Sequence, residues 1–74
     1  MSNSIDGVHT VTNPKGTGWV NQSAAGTILS SHQVKTVAVK EGRLLAKRHR
    51  TQLTVHRRDG TIVRTQSYNA APIG

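Results

Sequence analysis

One stretch of this chain reads at helical period, residues 34–48, and short β-branched runs flank it on both sides. At about 100° per residue, Val34, Ala38 and Leu45 fall within an arc of about 40°, with Val37 and Leu44 on one flank. That predicts a single amphipathic helix with this stripe turned inward. Gly42 lies near the same side. A glycine there costs about 1 kcal/mol of helix propensity relative to alanine, so it points to a close approach between helix backbone and sheet. The opposite face carries Thr36, Lys40, Arg43 and Lys47. Lys47, Arg48 and Arg50 crowd the C-terminal end, where cations suit the macrodipole. Ser30 or Ser31 could cap the start, but no acid completes a capping box.

Before the helix come Val8-His9-Thr10-Val11-Thr12, Trp19-Val20-Asn21-Gln22 and Thr27-Ile28-Leu29-Ser30, three strand candidates separated by Gly- and Pro-bearing turns. After it, Gln52-Leu53-Thr54-Val55-His56-Arg57 alternates as a half-buried strand does, and Thr61-Ile62-Val63-Arg64-Thr65-Gln66 returns. Between them Asp59-Gly60 is the strongest hairpin signal in the chain. A two-residue loop and a three-residue loop with a bulge both fit it. The order gives an α+β fold: a small antiparallel sheet of strands, one helix packed on a face, then a C-terminal hairpin. Residues 8–68 form the expected single domain, with an N-terminal tail over 1–7 and a loose C-terminal tail over 69–74.

The core is thin. Hydrophobic residues make up 34% of 74, with one Trp, one Tyr and no Phe. A scaffold under about 80 residues gains roughly 3–5 kcal/mol from such a core. Trp19 is the expected core anchor of the sheet, with an anchor at a subunit interface as the alternative. With no Cys, neither disulfides nor thiolate metal sites can staple the fold, which makes self-association a reasonable expectation. No apolar run approaches the ~20 residues of a membrane span, and the first residues lack the basic and apolar regions of a secretory signal. The expected setting is cytoplasmic, with no membrane partner.

Four segments in order resemble a small bacterial family. They are Val8-His9-Thr10-Val11-Thr12 followed by Pro14, Gly18-Trp19 and Asn21; Gly42-Arg43-Leu44-Leu45-Ala46-Lys47-Arg48; His56-Arg57-Arg58-Asp59-Gly60-Thr61-Ile62; and Ser67-Tyr68. Together they are similar to the family catalogued as domain of unknown function 2188, over residues 8–68. The resemblance implies a compact α+β domain with no assigned activity. One departure stands out. The family's helix usually opens on a Thr or Ser cap with an acid three residues on, and this chain has Val34 and Val37 there. Many relatives are also less basic.

Chemistry-bearing constellations are sparse. His9, His32, His49 and His56 have no metal-ligand spacing and no carboxylate cluster beside them. His9 and His56 can meet if their strands are neighbours. The three acids, Asp6, Glu41 and Asp59, are dispersed. Asp59 is expected to accept local backbone N–H groups in the turn. Glu41 lies toward the apolar side without a helical cation at pairing distance. Gly16-Thr17-Gly18 lacks the Lys-Ser/Thr of a phosphate loop and opens no helix. The expectation is no enzyme, no cofactor and no metal.

Charge is the feature that stands above this background. The net charge is +7, and all of the excess falls between residues 35 and 64. Lys40, Arg43 and Lys47 on the helix, Arg57 and Arg58 near the hairpin tip, and Arg64 on the returning strand form the candidate set. Such residues bind phosphate backbones by counterion release, without sequence preference. Nucleic acid is therefore the first expected partner. The alternative is a structural or interaction module that self-associates or engages an acidic protein, using open sheet edges.

Overall fold

The computed structural model of the chain describes residues 7–68. Both expected tails lie outside these residues, apart from Gly7. Five strands and one helix follow in order: β1 (Val8–Thr12), β2 (Trp19–Ser23), β3 (Ile28–His32), α1 (Lys35–Arg48), β4 (Gln52–His56) and β5 (Ile62–Ser67). They form one sheet in the order β3-β2-β1-β4-β5 with the helix packed on it, an α+β fold as the element order implies.

Three of the four strand junctions are antiparallel. The fourth, β1–β4, is parallel, with Val8 opposite Leu53 and Thr10 opposite Val55. The helix explains this difference from a purely antiparallel sheet. β3 and β1 run in the same sense, α1 carries the chain back along the sheet, and β4 therefore starts at the same end as β1. The β1–β2 turn, the start of α1 and the β4–β5 turn consequently share one end of the molecule.

The helix lies on its sheet by a stripe that shares Ala38 and Gly42 with the one the wheel suggests but is turned away from Val34. Ala38, Gly42 and Ala46 are the buried positions. Val34, Val37 and Leu44 are about half exposed, at 54%, 49% and 50%. The cause lies beneath the helix. Asn21 is fully buried there. Its Nδ2 donates to the Ala38 carbonyl at 2.8 Å and to Ser30 Oγ at 3.1 Å, and Thr10 Oγ1 donates to its Oδ1 at 2.6 Å. A helix that must bond a short side chain from the sheet has to come close, so small residues line the contact and branched ones rotate outward. Asn21 uses both its amide hydrogens, so its burial carries no orphan donor.

Toward the other end of α1, Val8, Ala46, Leu53 and Val55 form the apolar cluster, with Leu29, Val39, Leu45 and Tyr68 packed around it. Trp19 is buried, and Lys35 Nζ sits 5.1 Å from its ring centroid. The helix start has no side-chain cap, with Val34 extended at the N-cap position. Its end is a Schellman motif: Thr51 N–H donates to the Ala46 carbonyl at 2.9 Å and Arg50 N–H to that of Lys47 at 3.2 Å.

The hairpin resolves to the three-residue loop. Arg57 N–H donates to the Thr61 carbonyl at 2.7 Å and Gly60 N–H to the Arg57 carbonyl at 2.9 Å. Gly60 has φ +94°, the bulge position that glycine fills without strain. Asp59 Oδ1 accepts from the Thr61 N–H at 3.0 Å and the Thr61 hydroxyl at 2.7 Å. These bonds hold the Asp59 carboxyl below the ordinary carboxylate range.

Candidate nucleic-acid interface

The helix packs chiefly on β1 to β4, and every residue of β5 is exposed. A strip of the helix-side face therefore stays open between α1 and the β5 edge. Which groups border it follows from register and helical spacing. Arg64 pairs with Val55, whose side chain belongs to the cluster under the helix, so Arg64 projects on the helix side. Lys47 Nζ lies 5.7 Å from the Tyr68 ring centroid, and Tyr68 follows β5. That contact turns the Lys47 side of the helix toward β5. Arg43 lies one turn earlier on that side, with Val39 and Lys40 a turn earlier again.

Lys35, Thr36, Val39, Lys40 and Arg43 line an open hollow of about 500 Å³ on this side of the helix. Its chemistry is mixed: aliphatic floor from Val39, cationic rim from three side chains. Among the described residues no Lys or Arg forms an ion pair with an acid. Asp59 is occupied by Thr61.

The six basic residues singled out by sequence do not form one cluster. Arg43 and Arg64 border the open strip, and Lys40 lines the hollow beside it. Arg57 and Arg58 are exposed in the β4–β5 turn, at the end where α1 begins. Lys47 sits near the opposite end of the helix, over Tyr68. Two cations outside that set join the first end: Lys35 on the hollow, and Lys15 in the β1–β2 turn. Lys35 was legible, since Lys35, Val39 and Arg43 repeat at intervals of four. Lys15 was not, because only the sheet order brings its turn beside α1.

Of the structural residues, Trp19 and Gly42 are buried, while Asp59 and Gly60 build the hairpin turn. Among the described residues no group of three or more His, Asp or Glu is placed to hold a metal ion. No helix among them is long and apolar enough to cross a membrane.

Neither a curated protein nor a solved structure matches the chain. A family model does, over residues 8–68, and its description is uncharacterized protein conserved in bacteria (DUF2188). That span runs from the first residue of β1 to Tyr68 and takes in every strand and the helix, so the chain belongs to the DUF2188 family.

Proposed function

We propose that this domain is a non-enzymatic module that binds the phosphate backbone of nucleic acid along the strip between α1 and β5. The observation that carries the reading is unneutralised charge on an uncovered face. Arg43 and Arg64 border the strip and Lys40 lines the hollow beside it, with no acid among the described residues paired to any of them, and Arg57 and Arg58 extend it at the hairpin. Cations that lack internal partners keep their full attraction for phosphate, and arginine adds bidentate bonding to its oxygens. Base stacking has little to work with, because Trp19 is buried. The binding is therefore expected to ignore sequence. A mobility shift comparing the wild type with the Lys40→Glu, Arg43→Glu, Arg64→Glu triple variant tests it. Loss of the shift in a variant that still folds supports the strip as the site; equal shifts rule it out.

A second reading, self-association, rests on a separate observation. Val34, Val37 and Leu44 form a half-exposed apolar stripe on α1, and β5 is the end strand of the sheet among the described residues. Light scattering on the purified chain decides it: a dimer supports the reading, and a strict monomer at all concentrations removes it.

A further inference from the structure

The face of the sheet away from the helix holds one contact that the binding reading does not use. Where β1 and β4 run side by side, His9 Nδ1 and His56 Nε2 stand 3.1 Å apart. Their ring centroids are 5.4 Å apart and the planes tilted by 37°. The centroid separation exceeds the nitrogen separation by about two ring radii, so both nitrogens lie close to the line joining the ring centres. That is the geometry of an N–H···N hydrogen bond. Two lone pairs sharing a metal ion would have to meet at an angle instead.

The other nitrogen of His56 fixes the direction of the bond. His56 Nδ1 lies 3.0 Å from the Gly60 carbonyl oxygen. A carbonyl only accepts, so Nδ1 carries the hydrogen. In the neutral ring His56 Nε2 is then bare and accepts, and His9 donates from Nδ1. A directed chain runs from His9 through His56 to Gly60. It crosses the one sheet junction between the β1–β3 meander and the β4–β5 hairpin, and it ends in the turn that carries Arg57 and Arg58.

We propose that the His9–His56–Gly60 chain is a proton-operated latch that holds the β4–β5 turn to β1 and opens when the pair takes its second proton. The inference stands apart from the nucleic-acid reading. One proton fits without breaking the chain, on His9 Nε2, because a single hydrogen then still lies between the two rings. A second has only His56 Nε2 left to occupy. It would set N–H against N–H between two cationic rings.

The surroundings oppose that second proton. By register, Gln22 of β2 faces His9 and Ile62 of β5 faces His56, and Thr54 and Thr65 adjoin the pair; none of these titrates. Arg57 and Arg58 follow His56 directly and add positive charge, as Lys15 does from the β1–β2 turn at the same end. Asp59, the acid of the turn, stays ionised well below the histidine range because Thr61 holds its carboxylate. α1 packs on the opposite face. Burial of its ring, and then the facing His56, lower the His9 pKa from the ordinary histidine value.

The test is an NMR titration of the full chain from about pH 8 to about pH 5, the range in which histidine changes charge. It follows the four histidine rings and the Gly60 and Thr61 amides, with His32 and His49 as references in the same spectrum. The latch predicts two steps for the pair, the lower of them beneath the ordinary histidine value, with both amides moving at that lower step. His9→Gln, which can donate a hydrogen bond but takes no proton, is expected to leave one step and move the amide midpoint upward. Should that variant fail to fold, the wild-type titration still decides. Independent single steps near the ordinary value, or an amide midpoint the same in wild type and variant, would overturn the latch.

Discussion

Gly42 of α1 lies so close over Asn21 of β2 that a Cβ on Gly42 would come within 2.6 Å of Asn21 Oδ1. It would also meet Leu53 Cδ1 and Thr10 Oγ1 at 3.0 Å. The helix–sheet distance is thus set by a buried polar pair, Thr10 and Asn21, and by the missing side chain above it. That placement seats the helix chiefly on β1 to β4 and leaves β5 exposed, which is what opens the basic strip.

Gly42→Ala is accordingly expected to destabilise the fold by about 1–3 kcal/mol, the usual penalty of overpacking. The gain of about 1 kcal/mol in helix propensity does not offset it, because backbone, Asn21 and Leu53 must all move. Thermal unfolding measures it. A shift of about 4–8 °C per kcal/mol is expected for a domain of this size, downward.

Arg50 carries φ 51° at the position after the helix C-cap. The Schellman bonds require a left-handed residue there, and a side chain with a Cβ is strained in it. Arg50→Gly should therefore stabilise the domain by about 1 kcal/mol, read as a rise in Tm. An unchanged or lower Tm would show that Arg50 has a compensating contact.

Tyr68 packs against the apolar cluster with a buried hydroxyl that has no partner among the described residues. An unpaired buried hydroxyl costs about 1–3 kcal/mol of desolvation. Tyr68→Phe keeps the ring under Lys47 and removes that cost, so it should raise the denaturant midpoint without changing the m-value.

Asp59 supports the hairpin as a carboxylate. Its folded pKa lies below its ordinary value, through the Thr61 backbone bond first and the Thr61 hydroxyl second. Its contribution is thus whole above the unfolded pKa of about 3.9 and is lost as pH falls through the lower folded value. Asp59→Ala should be less stable than wild type at neutral pH, and the two unfolding curves should converge in strong acid. A gap that persists there would place Asp59's role in packing rather than charge.

Much of this fold was legible in the sequence because local signals were strong. Short β-branched runs, one helical period and Asp59-Gly60 mark all six elements within a residue or two. The β1–β4 pairing was less so, since parallel strands share no turn chemistry. The helix stripe is legible in part: the hydrophobic period centres it on Val34, Ala38 and Leu45 with Gly42 near, and Ala38 and Gly42 are buried, but the buried amide of Asn21 moves the contact onto Ala38, Gly42 and Ala46 and leaves Val34 exposed. Asn21 itself carried no sign of its role, because a polar residue in a short strand is ordinary. For the candidate site, charge content was plain, but grouping depended on register. Arg64 reaches the helix side only through its pairing with Val55.

The most direct test of the central claim is the salt dependence of nucleic-acid affinity for the wild-type chain. Binding of duplex DNA or RNA is expected to be strongest near 50 mM salt and to fall steeply by about 200 mM, with log K linear in log salt. Neutralising the strip with Lys40→Gln, Arg43→Gln and Arg64→Gln should flatten that slope by about 0.9 for each lost phosphate contact. No binding at about 50 mM salt, where a counterion-release footprint is largest, or a slope the same in both proteins, would contradict the account.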